Sequence, residues 1–374
     1  MKILFSGGGT AGHVNPAVAI AQAMLKKSKS NEVAFVGRKN GGENQAILSG
    51  GYKLYTVSVR GFVRRISPKN IKSAYLAIKS LSDAKRIIKD FKPDVIVGTG
   101  GYVSWPILRC GIRLGIPTVL HESNIYPGLV TRRLGGKCDL VLLNSRESLK
   151  FLKYSQNTRA AGNPLRIGFF DTSRSQARKA LGIKDGEFFI VSFGGSLGSE
   201  KINSAVISLM RDYSSKNPKI KHLHSAGTRY FDELSEKHGE LFDAENGCTV
   251  KAYIDNMPTV MTAADLVISR SGAMTLTEIA GVGTSAILVP SPNVADNHQL
   301  KNARAISENG GAVLLEEPRL QDELTKTVRR LYENDSERKA LAANVRKFYD
   351  RNSSEKICRE IEELVSRNKT ASAK

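Results

Sequence analysis

The sequence predicts an α/β protein of two domains, each a parallel sheet wrapped in helices, and three observations predict it. The chain has 374 residues, more than one ordinary core accommodates, and the length favours about two domains. Short β-rich apolar runs alternate with longer helical stretches, as parallel sheets with crossover helices require. The two halves also open alike, each with a strand, a glycine-rich turn and a helix start. With 41% hydrophobic and 25% charged residues, wholesale disorder and fibrous repeats are excluded.

The first-half strands are read at Ile3–Ser6, Val33–Val36, Val95–Gly98, Thr118–His121 and Leu140–Leu143. Those of the second half are read at Phe188–Phe193, His222–Ser225, Thr249–Ala252, Leu266–Ser269 and Ala286–Pro290. Such apolar runs belong to strands buried on both faces. Phe5-Ser-Gly-Gly-Gly-Thr-Ala-Gly-His13 leads to a helix near Asn15-Pro16, and Phe193-Gly-Gly-Ser-Leu-Gly198 to one near Ile202. The expected organisation is a Rossmann-like domain over residues 1–163, a linker over 164–185 and a second Rossmann-like domain over 186–345. Residues 346–374 are read as a basic amphipathic helix with a polar tail.

The net charge of +20 is unevenly placed. Residues 1–160 carry 26 Lys and Arg against 8 Asp and Glu, a net of +18, leaving +2 for the remainder. A one-sided basic surface implies an anionic partner, either nucleic acid or an acidic membrane leaflet. Between Arg60 and Lys92 the basic residues interleave with Phe62, Ile66, Ile71, Tyr75, Ile78 and Leu81. The pattern suits a helix in a membrane interface and equally a helix covering a sheet. The Arg60–Lys69 loop favours the membrane, and Trp105 is a candidate for the same face. No nucleic-acid-binding motif accompanies the charge, so no nucleic acid is expected. Four cysteines without a CxxC pair point to a reducing compartment. Without a leader pattern or a run of 18 apolar residues, the expected place is the cytosol, touching a membrane from its surface.

Gly7-Gly-Gly-Thr-Ala-Gly12 satisfies the dinucleotide fingerprint GxGxxG. In an NAD site an acidic residue would end the second strand, whereas Phe35-Val-Gly-Arg38 ends in arginine; NADP stays open. A second glycine turn, Gly98-Thr-Gly-Gly-Tyr102, precedes another helix, and two backbone nests at neighbouring strand ends are able to grip a diphosphate. His121-Glu-Ser-Asn124 ends a further strand, where ligands of open α/β sheets bind. In the second half Ser269-Arg-Ser-Gly-Ala-Met-Thr-Leu-Thr-Glu278 follows a strand and opens a helix, suiting phosphate at its amides and ribose at Glu278. No Asp-x-Asp pair is present to hold a divalent metal on a nucleotide diphosphate, so no metal is expected. His222 and His224, two apart on a strand, are read as surface or packing residues rather than metal ligands.

Together, Gly8-Gly-Thr-Ala-Gly-His-Val-Asn-Pro16, Gly100-Gly-Tyr-Val-Ser104, His121-Glu-Ser-Asn124, Gly162-Asn-Pro-Leu-Arg166, Gly194-Gly-Ser196, Arg270-Ser-Gly-Ala273 with Glu278, and Asp296-Asn-His-Gln299 closely resemble the MurG family. That resemblance implies a GT-B glycosyltransferase fold, two Rossmann-like domains with parallel sheets separated by a cleft. It implies inverting, metal-independent transfer, with no cofactor, of N-acetylglucosamine from UDP-N-acetylglucosamine to the muramoyl 4-hydroxyl of undecaprenyl-diphosphoryl-N-acetylmuramoyl-pentapeptide (lipid I), giving lipid II and UDP in peptidoglycan synthesis. By the same resemblance the protein works peripherally at the cytoplasmic face of the cell membrane, with anionic phospholipid and lipid I as partners.

Carried over by position, the resemblance puts Thr10, Ala11, Gly12 and Asn124 near the transferred sugar and Arg166 and Ser196 near the donor phosphates. Ile254 is placed at uracil, the helix start Ala273, Met274, Thr275, Leu276, Thr277 and Glu278 at phosphate and ribose, and Gln299 at the sugar hydroxyls. Gly9, Gly100, Gly101 and Tyr102 are expected at the acceptor diphosphate. His13 is the candidate base, because it follows the first glycine turn and its ordinary pKa suits neutral pH; Glu122 is the reserve candidate. Ala11, Leu197 and His298 depart from residues common in the family. Two other readings stay open: another GT-B transferase using a different UDP-sugar, and a basic membrane-surface binding module with a degenerate nucleotide site.

Overall fold

The protein is seen in a computed structural model that describes residues 1–39, 41, 44–59, 69–242, 245–294 and 297–372. The chain divides into two compact units, Met1–Ile167 with Asp350–Lys374, and Gly168–Tyr349.

The first unit is built in the order β1 (Lys2–Ser6), α1 (Ala11–Lys27), β2 (Glu32–Arg38), α2 (Gln45–Ser49), β3 (Lys53–Val57), α3 (Lys69–Phe91), β4 (Val95–Gly98), α4 (Gly101–Arg113), β5 (Thr118–Glu122), α5 (Leu129–Leu134), β6 (Leu140–Leu143) and β7 (Thr158–Ala160). Its seven strands lie in the order β3-β2-β1-β4-β5-β6-β7, all parallel. Alternation along β1 sends Ile3 and Phe5 to one core layer and Leu4 to the other, so both faces are packed. Ala84, Ile87, Ile88 and Phe91 seat the carboxyl half of α3 on the Leu4 face, so that half covers the sheet. Residues 60–68, the basic loop singled out in the sequence, lie outside the described residues.

The second unit continues with α6 (Arg174–Ala180), β8 (Phe188–Phe193), α7 (Glu200–Leu209), β9 (Ile220–Ser225), α8 (Phe231–His238), β10 (Cys248–Lys251), α9 (Met257–Ala263), β11 (Leu266–Ser269), α10 (Ala273–Val282), β12 (Ser285–Leu288), α11 (His298–Ser307), β13 (Val313–Leu314), α12 (Glu317–Glu333) and α13 (Asp335–Val345). Its six strands, also parallel, run β10-β9-β8-β11-β12-β13.

Three helix placements differ from the sequence reading. The helix expected near Asn15-Pro16 begins at Ala11, with Pro16 inside it. There the ring removes only the bond to the Gly12 carbonyl, within the first two turns. The C-terminal helix, α14 (Ser353–Ser372), belongs to the first unit rather than standing apart. Ile357, Ile361 and Val365 recur at helical spacing and are buried in the Phe5 core layer, where α14 packs on α1. Each of these isoleucines stabilises that docking by about 2 kcal/mol. The segment 164–185, expected as a linker, holds α6, whose capping box joins Ser173 to Gln176.

All four cysteines are buried and unpaired thiols. Among the described residues no helix is long and apolar enough to cross a membrane.

Candidate functional site

In the first unit the strand order changes direction between β1 and β4, where Ser6 lies in register with Gly98. Both glycine turns therefore leave from neighbouring points at the carboxyl edge of the sheet, the switch point at which open α/β sheets bind ligands. The turns interlock. Gly9 has φ 93°, and a Cβ there would come 2.8 Å from the Tyr102 ring. Gly100 and Gly101 have φ of 100° and 74°; a Cβ on the former would lie 2.7 Å from His13 Nδ1, and on the latter 2.0 Å from the Gly8 carbonyl oxygen. Only glycine combines that backbone with that clearance. Hydroxyls lock the arrangement: Thr99 Oγ1 donates to the His13 carbonyl at 2.6 Å, and Ser104 Oγ lies 2.7 Å from Ser6 O and 2.6 Å from Gly100 O.

His13 is thus held by the second turn while belonging to the helix after the first. Its Nδ1 lies 3.2 Å from the Thr99 carbonyl, which can only accept, so Nδ1 carries the proton and Nε2 is the basic nitrogen of the neutral ring. Thr10, the N-cap of α1, makes no capping bond, Gly100 offers α4 no side chain, and neither helix has an acid in its first turn. Both helix ends keep their positive potential for an anion at this edge. Thr10 and Gly12 are exposed and Ala11 half-buried.

Glu122, the reserve candidate for the base, is engaged with the loop that follows it. Buried at the end of β5, its carboxylate accepts from Asn124 N at 2.9 Å, Asn124 Nδ2 at 3.0 Å, Gly128 N at 2.8 Å and Thr131 Oγ1 at 2.6 Å. Four donors make it the brace of the Asn124–Thr131 loop and fix the Asn124 amide. Neighbouring His121 donates from Nε2 to the Gly162 carbonyl at 3.1 Å, and burial holds its pKa below the ordinary histidine value, so it stays neutral. Asn163 Nδ2 donates to Ser123 O at 3.1 Å. These bonds tie the Gly162–Arg166 segment to the end of β5 and thereby set where half-buried Arg166 begins.

The second unit repeats the logic. Its order changes direction between β8 and β11, with Phe193 beside Ser269 in register. The loop after β8 carries Gly195 at φ 97° and Gly198 at φ 80°, with Ser196 exposed and Leu197 71% exposed at its tip. The helix behind that loop is capped by Ser199 and carries Glu200 in its first turn. After β11 the N-cap is Gly272, which has no side chain, and no acid occupies the first turn of α10. Of the two helix ends at this switch point the anion-receptive one is therefore α10, with Ala273 and Thr275 half-buried and Met274, Leu276, Thr277 and Glu278 buried. Thr277 Oγ1 donates back to the Ala273 carbonyl at 2.9 Å. Ile254 is buried in the loop after β10. Gln299 is tied in twice, its Oε1 accepting from Ser291 N at 2.9 Å and its carbonyl from Ser271 Oγ at 2.8 Å. Asp296 lies outside the described residues.

Arg270 is the residue whose role the sequence concealed. Only 13% exposed, its guanidinium donates to the carbonyls of Val289 at 3.2 Å and Pro290 at 3.1 Å, to Ser199 Oγ at 2.6 Å and to the Glu317 carboxylate. It joins the ends of β11 and β12 to the starts of α7 and α12. Nothing in the local pattern names partners 19 to 71 residues away.

Among the described residues no three His, Cys, Asp or Glu side chains gather as a metal-ion ligand set. His222 and His224 are fully buried and bonded to Ser192.

Residues 3–143 match the glycosyltransferase family 28 N-terminal domain, and residues 189–357 the family 28 C-terminal domain. The chain is 37% identical over 367 residues to a "UDP-N-acetylglucosamine--N-acetylmuramyl-(pentapeptide) pyrophosphoryl-undecaprenol N-acetylglucosamine transferase" of Thermoanaerobacter sp. (strain X514), covering 98% of this chain and 100% of that one. A protein of the same name from Acetivibrio thermocellus is 36% identical over 372 residues, with 99% and 100% covered. Among solved structures, MurG of Acinetobacter baumannii superposes with a TM-score of 0.69 over 97% of this chain and 99% of that one, at 24% identity.

Proposed function

This chain belongs to the MurG family within glycosyltransferase family 28, and from that premise we infer how it transfers N-acetylglucosamine from UDP-N-acetylglucosamine to lipid I, forming lipid II and UDP. The observation that carries the reading is the pairing of two switch-point sites, one uncapped helix end in the second unit and two in the first. Two phosphate-rich substrates need two such sites.

The second unit takes the donor. The amides that open α10 receive the diphosphate, Glu278 the ribose, Ile254 the uracil, and Ser196 and Gln299 the phosphate and sugar. The first unit takes the diphosphate of lipid I at Gly9, Gly100, Gly101 and Tyr102, while Thr10, Ala11, Gly12, Asn124 and Arg166 address the transferred sugar and its leaving group.

Transfer is a single displacement. The 4-hydroxyl oxygen of the muramoyl sugar bonds to C1 of N-acetylglucosamine as the bond from C1 to the β-phosphate oxygen breaks, inverting C1. The electron pair leaves on UDP, where the α10 end and Arg166 meet the charge. The hydroxyl proton passes to Nε2 of His13, which the Thr99 carbonyl holds in the tautomer able to take it. Glu122 positions Asn124 and touches no reacting atom. No metal ion takes part.

The protein works as a peripheral enzyme on the cytoplasmic membrane face, the basic excess of its first 160 residues meeting anionic phospholipid. The test is UDP release from UDP-N-acetylglucosamine with a lipid I analogue. Release that depends on that acceptor supports the reading. Release only with UDP-glucose, or only with a non-lipid acceptor, overturns it.

A further inference from the structure

The core of the second unit contains a continuous polar chain with no part in the transfer described above. β8 and β9 pair so that Ser192 stands beside His224 and Ile190 beside His222. Ser214 Oγ lies 3.2 Å from His222 Nδ1, and His222 Nε2 lies 2.8 Å from Ser192 Oγ. Ser192 Oγ lies 2.8 Å from His224 Nδ1, and His224 Nε2 lies 3.1 Å from Asn203 Oδ1. Asn203 Nδ2 donates to the Ala226 carbonyl at 2.9 Å. The chain runs among Ile190, Ile202 and Val206, where a polar group left unmatched is expensive.

Its direction is fixed from one end. The Ala226 carbonyl can only accept, so Asn203 turns its amide nitrogen there and its oxygen to His224. His224 must then donate from Nε2 and accept at Nδ1 from the Ser192 hydroxyl. Ser192 accepts from Nε2 of His222, and His222 accepts from Ser214. Every donor meets one acceptor with both rings neutral. Nδ1 of His224 also lies 3.1 Å from the Ser192 carbonyl, a contact that bonds only in a protonated ring; burial opposes that form.

The end at Ala226 touches the donor side. A Cβ on Gly198 would lie 2.0 Å from the Ala226 oxygen, and one on Gly227 2.3 Å from the Gly198 nitrogen. The backbone at 226–227 is thus the surface on which the 194–198 loop rests.

We propose that His224 and Asn203, oriented by Ser192, are positioning residues for the donor diphosphate: they hold the Ala226 carbonyl where the Gly194–Gly198 loop must pack to present Ser196. The inference deepens the donor assignment above and rests on it.

The test uses the full chain and two readouts, UDP affinity by calorimetry and amide exchange of residues 195–198 without ligand. His224→Phe removes the donor to Asn203, and Asn203→Leu removes the anchor. Each is expected to weaken UDP binding at least tenfold and speed loop exchange, with kcat for bound donor changed less than KM. His224→Gln, which restores an N–H donor, recovers most of both. Ser214→Ala deletes a buried bond at the far end and leaves UDP affinity within about twofold of wild type, even if the melting temperature falls. Wild-type affinity and wild-type loop exchange in Asn203→Leu would overturn the proposal, as would loss of affinity in Ser214→Ala that tracks stability alone. If the unmodified chain failed to bind UDP, the donor assignment would fall, and the exchange readout would still decide whether this chain positions the loop.

Discussion

Acidification should loosen the second unit in a defined pH window. An ordinary histidine titrates near 6.5, whereas burial pushes His222 down to about 3 and His224 down to about 4. As pH falls through 6.5 the unfolded chain takes up two protons that the folded unit refuses. Stability is therefore complete above pH 6.5 and declines as pH drops towards 4 and then 3. At pH 5 each ring has cost about 2 kcal/mol, about 4 kcal/mol together, from 1.36 kcal/mol per unit over roughly 1.5 units. That is a large share of the stability of one domain. Trp105, the single tryptophan, lies in α4, so its fluorescence follows the first unit, and the second is followed by circular dichroism in urea. The double variant Ser214→Ala/His222→Ile should lose about half of the pH dependence between 7.5 and 5. An unchanged slope, or a second unit equally stable at both pH values, would refute the neutral, directional chain.

Three further outcomes follow from the sites. His13→Ala should lower kcat by about 10²–10⁴ while UDP affinity holds, the range for losing a general base; a near-normal rate would remove His13 from that role. Gly101→Ala forces a Cβ to within 2.0 Å of the Gly8 oxygen at φ 74°, so acceptor-dependent turnover should collapse with the UDP site of the other unit intact, measured by steady-state kinetics beside calorimetry. Arg270→Lys keeps the charge but loses the fork to Val289, Pro290 and Ser199, and should cost about 2–4 kcal/mol in the second unit's urea transition and raise the KM for donor.

Much of the fold was legible because buried parallel strands carry unbroken apolar runs. Val95–Gly98, Leu140–Leu143, Phe188–Phe193 and Leu266–Ser269 are found with the bounds read from sequence. The strands missed, β3, β7 and β13, all lie at sheet edges, where one side meets solvent and the run is broken or short. The glycine turns were readable as candidate phosphate sites from their density alone. That Gly100 and Gly101 make room for His13, and Gly9 for Tyr102, was not, because those contacts span about ninety residues. Periodicity marked α14 as amphipathic but carries no address, so its docking on α1 appeared only in three dimensions. The bracing of Asn124 by Glu122 was not legible, because its four donors lie within nine residues but depend on how the loop turns.

The most direct measurement is the product itself. Full-length protein, UDP-N-acetylglucosamine and a lipid I analogue are incubated in anionic vesicles with a metal chelator, and the lipid product is analysed by mass spectrometry and NMR. The expected product carries a single N-acetylglucosamine β-linked to the muramoyl 4-hydroxyl, formed at the same rate with and without chelator. An α-linked product, a different sugar position, or a rate abolished by the chelator would contradict it.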